Sequence, residues 1–155
     1  MKKAVPPKEA LAILSSIQSK SLVLIGGCFD LLHDGHLAFI SEAKKYGDFL
    51  IVLLESDQAI KDKKGINRPI QHQKKSASVL LKKSITDLCI LLPYPFINQD
   101  YDNLVTAIKP AIIATTKGDP YLFHKKRQAA IATAKVVEVI ERISNYSTSS
   151  KVEHE

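Results

Sequence analysis

The sequence predicts an α/β protein, a doubly wound, five-stranded parallel sheet with helices on both faces. Three observations carry this. Five short apolar runs alternate with segments of helical periodicity, the order that builds parallel sheets through right-handed crossovers. One run, Phe49 to Leu54, is apolar at every position, as expected of a strand covered on both faces. No repeat, low-complexity tract or linker interrupts the 155 residues, so a single domain over 1–155 is expected.

In chain order, Glu9 to Gln18 is predicted as a first helix, and Leu22 to Ile25 as a short strand ending at Gly26-Gly27. From Gly35 to Tyr46, Leu37, Ile40 and Ala43 recur at helical spacing. Phe49 to Leu54 is the second strand, followed by a basic loop around Lys61 to Asn67 and a helix from Gln71 to Lys83. Leu88 to Leu92 is a third strand, stopped by Pro93 and Pro95. Asp102 to Ile108 reads as a short helix, Ala111 to Thr115 as a strand, Leu122 to Ala134 as a helix and Val136 to Ile140 as the fifth strand. In such sheets ligands bind beyond the carboxyl ends of the strands.

Composition narrows the function classes. Apolar residues make up 45% and charged residues 25%, ordinary for a globular protein. The net charge of +6 points to anionic partners such as nucleotides or phosphorylated metabolites. The basic residues fall in short clusters, most of which read as solvated helix faces. No aromatic-rich platform or recognition-helix motif accompanies them, so nucleic acid is not an expected partner. The longest clean apolar run is too short to cross a bilayer, and Pro6 and Pro7 break the stretch after Met1-Lys2-Lys3, so neither a membrane span nor a signal peptide is expected. Two cysteines, Cys28 and Cys89, do not make a disulfide framework, which favours a reducing, cytoplasmic setting.

The segment after the first strand reads Gly26-Gly27-Cys28-Phe29-Asp30-Leu31-Leu32-His33-Asp34-Gly35-His36. Glycines at a strand end let backbone amides approach a phosphate closely. His33 and His36, three apart where a helix opens, can point into one crevice, where imidazole donates to phosphate oxygens beside the free amides of the helix start. Metal ligation or loop packing are the other readings of such a histidine pair.

The segment resembles the nucleotidyltransferase signature, a strand followed by G-x-F-D-x-x-H-x-G-H, with Gly27, Phe29, Asp30, His33, Gly35 and His36 at its fixed positions. The resemblance implies a Rossmann-like fold and a reaction in which a substrate phosphate attacks the α-phosphorus of a nucleoside triphosphate and expels pyrophosphate. His33 and His36 would hold the triphosphate, with Mg²⁺ bridging its oxygens, and Asp30 would shape the loop rather than act as a base.

Further matches resemble the heptose 1-phosphate adenylyltransferase type. They are Ala43-Lys44 and Gly47-Asp48, then Lys64-Gly65-Ile66-Asn67-Arg68-Pro69 against K-G-x-x-R-P. Lys117-Gly118-Asp119-Pro120-Tyr121 stands against K-G-G-D-Y, and Tyr146-Ser147-Thr148-Ser149 against Y-S-T-T. By this resemblance Lys61 and Lys64 bring cations to phosphates. Gly26, Gly27, Cys28, Phe29, Asp30, Gly35, Arg68, Lys117, Gly118, Asp119, Ser147, Thr148 and Ser149 contribute to the nucleotide site. Cys28 is read as packing, Arg68 as a site residue or loop anchor, Arg142 as able to reach the triphosphate, and Cys89 as core.

The partners implied are a nucleoside triphosphate and a phosphorylated small molecule, with a homo-oligomer compatible. The sequence departs from the type in three places. Gln73-Lys74-Lys75-Ser76 lacks the arginine of an E-Q-R-like stretch, Asn145 stands where glycine is expected, and little chain follows the Ser/Thr segment before Glu155. Two alternatives therefore stand beside AMP transfer to a sugar 1-phosphate. One is a CTP-dependent transferase acting on glycerol phosphate or ethanolamine phosphate. The other is a nucleotide-binding homologue with impaired catalysis.

Overall fold

The computed structural model describes residues 2–18, 20–27, 29, 34–83 and 85–141. The elements, in order, are β1 (Lys3–Val5), α1 (Pro7–Ser15), β2 (Leu22–Gly27), α2 (Asp34–Lys44), β3 (Phe49–Leu54), α3 (Asp57–Lys64), α4 (Gln73–Lys83), β4 (Leu88–Leu91), α5 (Asn98–Ile108), β5 (Ile112–Lys117), α6 (Leu122–Ala132) and β6 (Lys135–Glu141). Every strand pairing is parallel, and the sheet order is β1-β4-β3-β2-β5-β6.

The α/β class holds, with six strands among the described residues instead of five. The added strand, β1, extends the sheet at its edge through Lys3↔Leu88, Ala4↔Cys89 and Val5↔Ile90. Three residues between Lys2 and Pro6 carry too little periodicity to read as a strand. Their pairing is supplied by β4. The second correction concerns Lys61 and Lys64, which lie on helix α3 and not in a basic loop. This helix is too charged to show an apolar stripe and buries only Ile60. Its start is nevertheless well made: the Ser56 hydroxyl accepts from the Ala59 amide at 3.1 Å. Gly65, at φ +112°, ends it.

Along β3 the side chains divide strictly between two cores. Phe49, Ile51 and Leu53 pack on the side of α1, α5 and α6, with Ala10, Leu14, Leu104, Val105 and Ala129. Leu50, Val52 and Leu54 pack on the side of α2 and α4, with Phe39, Ile40, Ala43, Ala77 and Leu80. All six residues of β3 are buried, as its unbroken apolar run demands. Cys89 of β4 lies in the second core, where burial pushes its thiol up to about 12.

Polar ties between elements fix the frame. Asp87 accepts from the Leu50 amide at 2.9 Å and from Lys44 at 2.8 Å. Arg127 of α6 holds Asp102 of α5 through two parallel bonds of 2.7 and 2.8 Å, and this guanidinium keeps the Asp102 carboxyl below the ordinary carboxylate range.

The sheet order creates the candidate site. The chain moves from β2 to β3 to β4 in one direction, then returns to place β5 on the other flank of β2. At that reversal the connections after β2 and β5 leave toward opposite sides, opening a crevice at the carboxyl ends of these two strands.

Candidate functional site

Gly26 and Gly27 end β2, still in ladder register with Leu53 and Leu54 of β3. They alternate between the faces of the sheet. A Cβ on Gly26 would stand 3.7 Å from the Leu53 Cβ, an ordinary contact, whereas a Cβ on Gly27 would stand 3.3 Å from two ring atoms of Phe29. A methyl group at 27 would therefore press on the Phe29 ring, which is only 4% exposed. Phe29 in turn meets the His36 ring edge-on, with centroids 5.0 Å apart and planes at 79°. His36 is half-buried in the first turn of α2, one residue after Gly35. The aromatic of the signature thus braces its second histidine, and the helix start places that histidine at the end of the central strand.

On the other flank, Lys117 is the last residue of β5 and is exposed, and Gly118 follows at φ +78°, a turn that suits glycine. A register shift between Thr115 and Thr116 breaks the β5–β6 ladder just before this turn, a feature common where a strand end is re-aimed. Asp119 faces into the protein. Its carboxylate accepts from the Thr115 hydroxyl at 2.5 Å, from the Tyr121 amide at 2.8 Å and from Lys125. Burial raises its pKa, but bonds from Lys125, Thr115 and the Tyr121 amide outweigh that and hold it below the ordinary carboxylate range. Asp119 is therefore anchored within the turn.

Lys61 and Lys64 are exposed on α3, which begins three residues after the end of β3. The helix is held by side chains other than these two. Tyr94 donates to Asp62 at 2.7 Å, Lys63 reaches Glu55 at 3.0 Å, and Tyr101 donates to the same Glu55 oxygen at 2.7 Å. Arg68 is buried at 6% exposure, its amide bonded to the Gly65 carbonyl at 3.1 Å, the burial expected of a loop anchor. Cys28, Asp30, His33, Arg142, Ser147, Thr148 and Ser149 lie outside the described residues.

Sequence reasoning missed two residues that build this end of the sheet. The Gln73 side-chain amide donates to the carbonyls of Leu54 at 2.9 Å and Leu92 at 3.1 Å, closing the ends of β3 and β4, while its backbone amide donates to Asp57 at 2.7 Å. Lys125 ties Asp119 to Thr115, donating to the Thr115 hydroxyl at 3.2 Å. The Ser56-Asp57 pair was a readable cap signal. The partner of Lys125, six residues back across a turn and a helix start, has no sequence signature.

Chemically, the elements at the ends of β2 and β5 carry glycine backbone, one braced imidazole, a helix start and an exposed lysine. These groups bind and orient anions. Among the described residues no three His, Cys, Asp or Glu side chains gather to hold a metal, and no helix is long and apolar enough to cross a membrane.

Comparison with known proteins agrees with this architecture. The sequence profile of the Cytidylyltransferase-like family matches residues 24–154. The chain is 37% identical over 151 residues to the bifunctional protein HldE of Helicobacter pylori strain J99, covering 97% of this chain and 31% of that protein. It is 34% identical over 131 residues to HldE of Campylobacter fetus, covering 84% of this chain and 27% of that protein. The chain thus spans under a third of the length of these relatives. Among solved structures, the lipopolysaccharide core biosynthesis protein of Thermoplasma volcanium superposes with TM-score 0.62 at 27% identity, over 80% of this chain and 99% of that one. Pantoate-beta-alanine ligase of Francisella tularensis, at TM-score 0.64 and 13% identity over 94% of this chain and 69% of that one, shares the Rossmann-like fold. A family match over most of the chain, on a sheet whose central strand ends in the signature glycines, leads to one conclusion: the chain belongs to the cytidylyltransferase-like family of nucleotidyltransferases.

Proposed function

We propose that this domain transfers AMP from ATP to a sugar 1-phosphate and releases pyrophosphate. The observation that carries the reading is the strand reversal between β2 and β5, two neighbouring strands that end at Gly26-Gly27 and at Lys117. The choice of ATP and of a sugar phosphate rests on the motifs resembling the heptose type and on the similarity to the HldE proteins. A cytoplasmic setting is the compartment this reading implies.

In the reaction, an oxygen of the acceptor's phosphate forms a bond to the α-phosphorus. The bond from that phosphorus to the bridging oxygen of the β-phosphate breaks, and the electron pair leaves with pyrophosphate. No covalent bond to the protein is needed, so catalysis is positioning plus stabilisation of charge. His36 and, by the signature, His33 donate to phosphate oxygens. Backbone at Gly26 and Gly27 admits the phosphates closely. Lys117, with Lys61 and Lys64 from α3, supplies positive charge, and Ser147, Thr148 and Ser149 are assigned hydroxyl and amide contacts through the motif they match. Among the described residues no cluster of carboxylates or histidines would hold Mg²⁺, so the ion would come with the triphosphate. When bound, it neutralises charge on the phosphates.

A second reading, binding with weakened catalysis, has one specific observation in its favour. Helix α4 opens with Gln73-Lys74-Lys75-Ser76, in which Gln73 is committed to strand carbonyls and Ser76 is buried, leaving two exposed lysines as its cations. A lysine is a point charge and does not reproduce a two-pronged guanidinium contact.

A pyrophosphate-release screen of four nucleoside triphosphates against sugar 1-phosphates, glycerol phosphate and ethanolamine phosphate tests all three readings. ATP with a sugar 1-phosphate is the expected pair. Turnover with CTP and an alcohol phosphate would replace the assignment, and nucleotide binding without turnover of any pair would favour the impaired reading.

A further inference from the structure

Two lysines stand close to the turn after β5 and have different fates. Lys117 is exposed and forms no ion pair among the described residues. Lys125, on the first turn of α6, is committed to Asp119 and to the hydroxyl of Thr115. Thr115 is 2% exposed, and the Asp119 side chain is 7% exposed. The three side chains close a ring in which Thr115 donates to Asp119, and Lys125 donates to both. This ring stitches strand β5, the Gly118 turn and helix α6 together at the carboxyl end of the sheet.

A carboxylate this buried requires a compensating charge. It also stands two residues from the cation assigned to phosphate binding. Without Lys125, Asp119 would repel a polyanion entering the crevice, and Lys117 would be the nearest cation along the chain to answer it. Commitment of Lys125 to Asp119 removes both effects.

We propose that Lys125 is a positioning residue of the nucleotide site, which neutralises Asp119, binds it to Thr115 and so keeps Lys117 uncommitted for a phosphate. The inference rests on the assignment of the β2–β5 crevice to the triphosphate.

The test uses the full chain and four variants: Lys125→Met, Lys125→Gln, Lys125→Arg and the double Lys125→Met/Asp119→Asn. Melting temperature, calorimetric ATP affinity, and kcat and KM are read on the same samples. Lys125→Met is expected to raise Kd and KM for ATP about tenfold or more, the effect of losing one charged contact, with kcat at saturation within about twofold. Lys125→Arg is expected to restore most of the affinity. The double variant is expected to bind ATP more tightly than Lys125→Met, because the carboxylate that would capture Lys117 is gone. Where Lys125→Met does not fold, Lys125→Gln takes its place, since it keeps a donor for Asp119 and removes only the charge.

A folded single variant with unchanged ATP KM overturns the proposal. So does a double variant no better than Lys125→Met, which would show a role in stability alone. Wild-type protein that binds no nucleotide would instead overturn the site assignment beneath it.

Discussion

Adding one methyl group at two adjacent glycines should give opposite effects on stability. At Gly27 the new Cβ would lie 3.3 Å from Cε2 and Cζ of Phe29, inside the roughly 3.5–4.0 Å of a comfortable carbon contact. The ring cannot retreat freely, because it is 4% exposed and stands edge-on to His36. Forcing a methyl group into such a place costs about 1–3 kcal/mol. Alanine recovers about 0.5–1 kcal/mol over glycine in a strand by restricting the unfolded chain. The net expectation for Gly27→Ala is a destabilisation of up to about 2.5 kcal/mol. For a chain of this size each kcal/mol moves Tm by about 2–4 °C, so a fall of up to roughly 10 °C is expected.

At Gly26 the nearest atoms would be Leu53 Cβ at 3.7 Å and its carbonyl oxygen at 3.8 Å, which is ordinary contact. Gly26→Ala is therefore expected to leave Tm unchanged or raise it by about 1–4 °C. Its KM for ATP should rise, because the side chain narrows the approach to the strand-end backbone. Calorimetric melting of both variants beside wild type, with ATP kinetics on the same samples, reads both effects. Gly27→Ala melting at or above wild type would refute the packing argument, as would equal losses at the two positions. A Gly26→Ala enzyme with wild-type KM would count against phosphate approach at this strand end.

His36→Ala should lower turnover about 10²–10³-fold if the imidazole donates to charge that grows in the transition state, with a much smaller change in ATP affinity. Near wild-type kcat in the folded variant would remove His36 from the mechanism. Gly47→Ala should destabilise by about 1–3 kcal/mol in denaturant titration, because its Cβ would fall 2.7 Å from Val23 Cγ2 and 2.8 Å from the Ser21 carbonyl oxygen. A neutral result would mean that this turn yields. Cys89, its thiol pushed up to about 12 by burial, should resist a thiol reagent at neutral pH in a Cys28→Ser background and react only on unfolding. Fast labelling of native protein would contradict its place in the core. Asp102 lies below the ordinary carboxylate value of about 4, so the stability it adds is present above that pH and lost as pH falls through its folded value. Stability of Asp102→Asn should accordingly fall less than that of wild type between about pH 4 and pH 2, and parallel curves would refute the role of the Arg127 pair.

Much of this protein was legible in local pattern. The run Phe49 to Leu54 announced a central strand because a strand buried on both faces has no polar face to show. The glycines after Ile25 read as the end of a strand, and Gly26 and Gly27 do end β2. Cys89 read as core from its strand alone.

Tertiary structure decided what depends on partners distant in sequence. Strand β1 exists because β4 offers an edge to pair with, and three residues carry no period of their own. Helix α3 owes its place to Ser56, Gly65, a bond from Tyr94 and the reach of Lys63 to Glu55, and its charged sequence shows no stripe. The division of labour between Lys117 and Lys125 could not be read from two similar side chains. It follows from which ammonium group the folded turn brings to a buried carboxylate, and that is set by the packing of α6 against β5. Sequence pattern specifies which surfaces a segment can bury, whereas the pairing of a charge depends on distance, and distance exists only once the chain has folded.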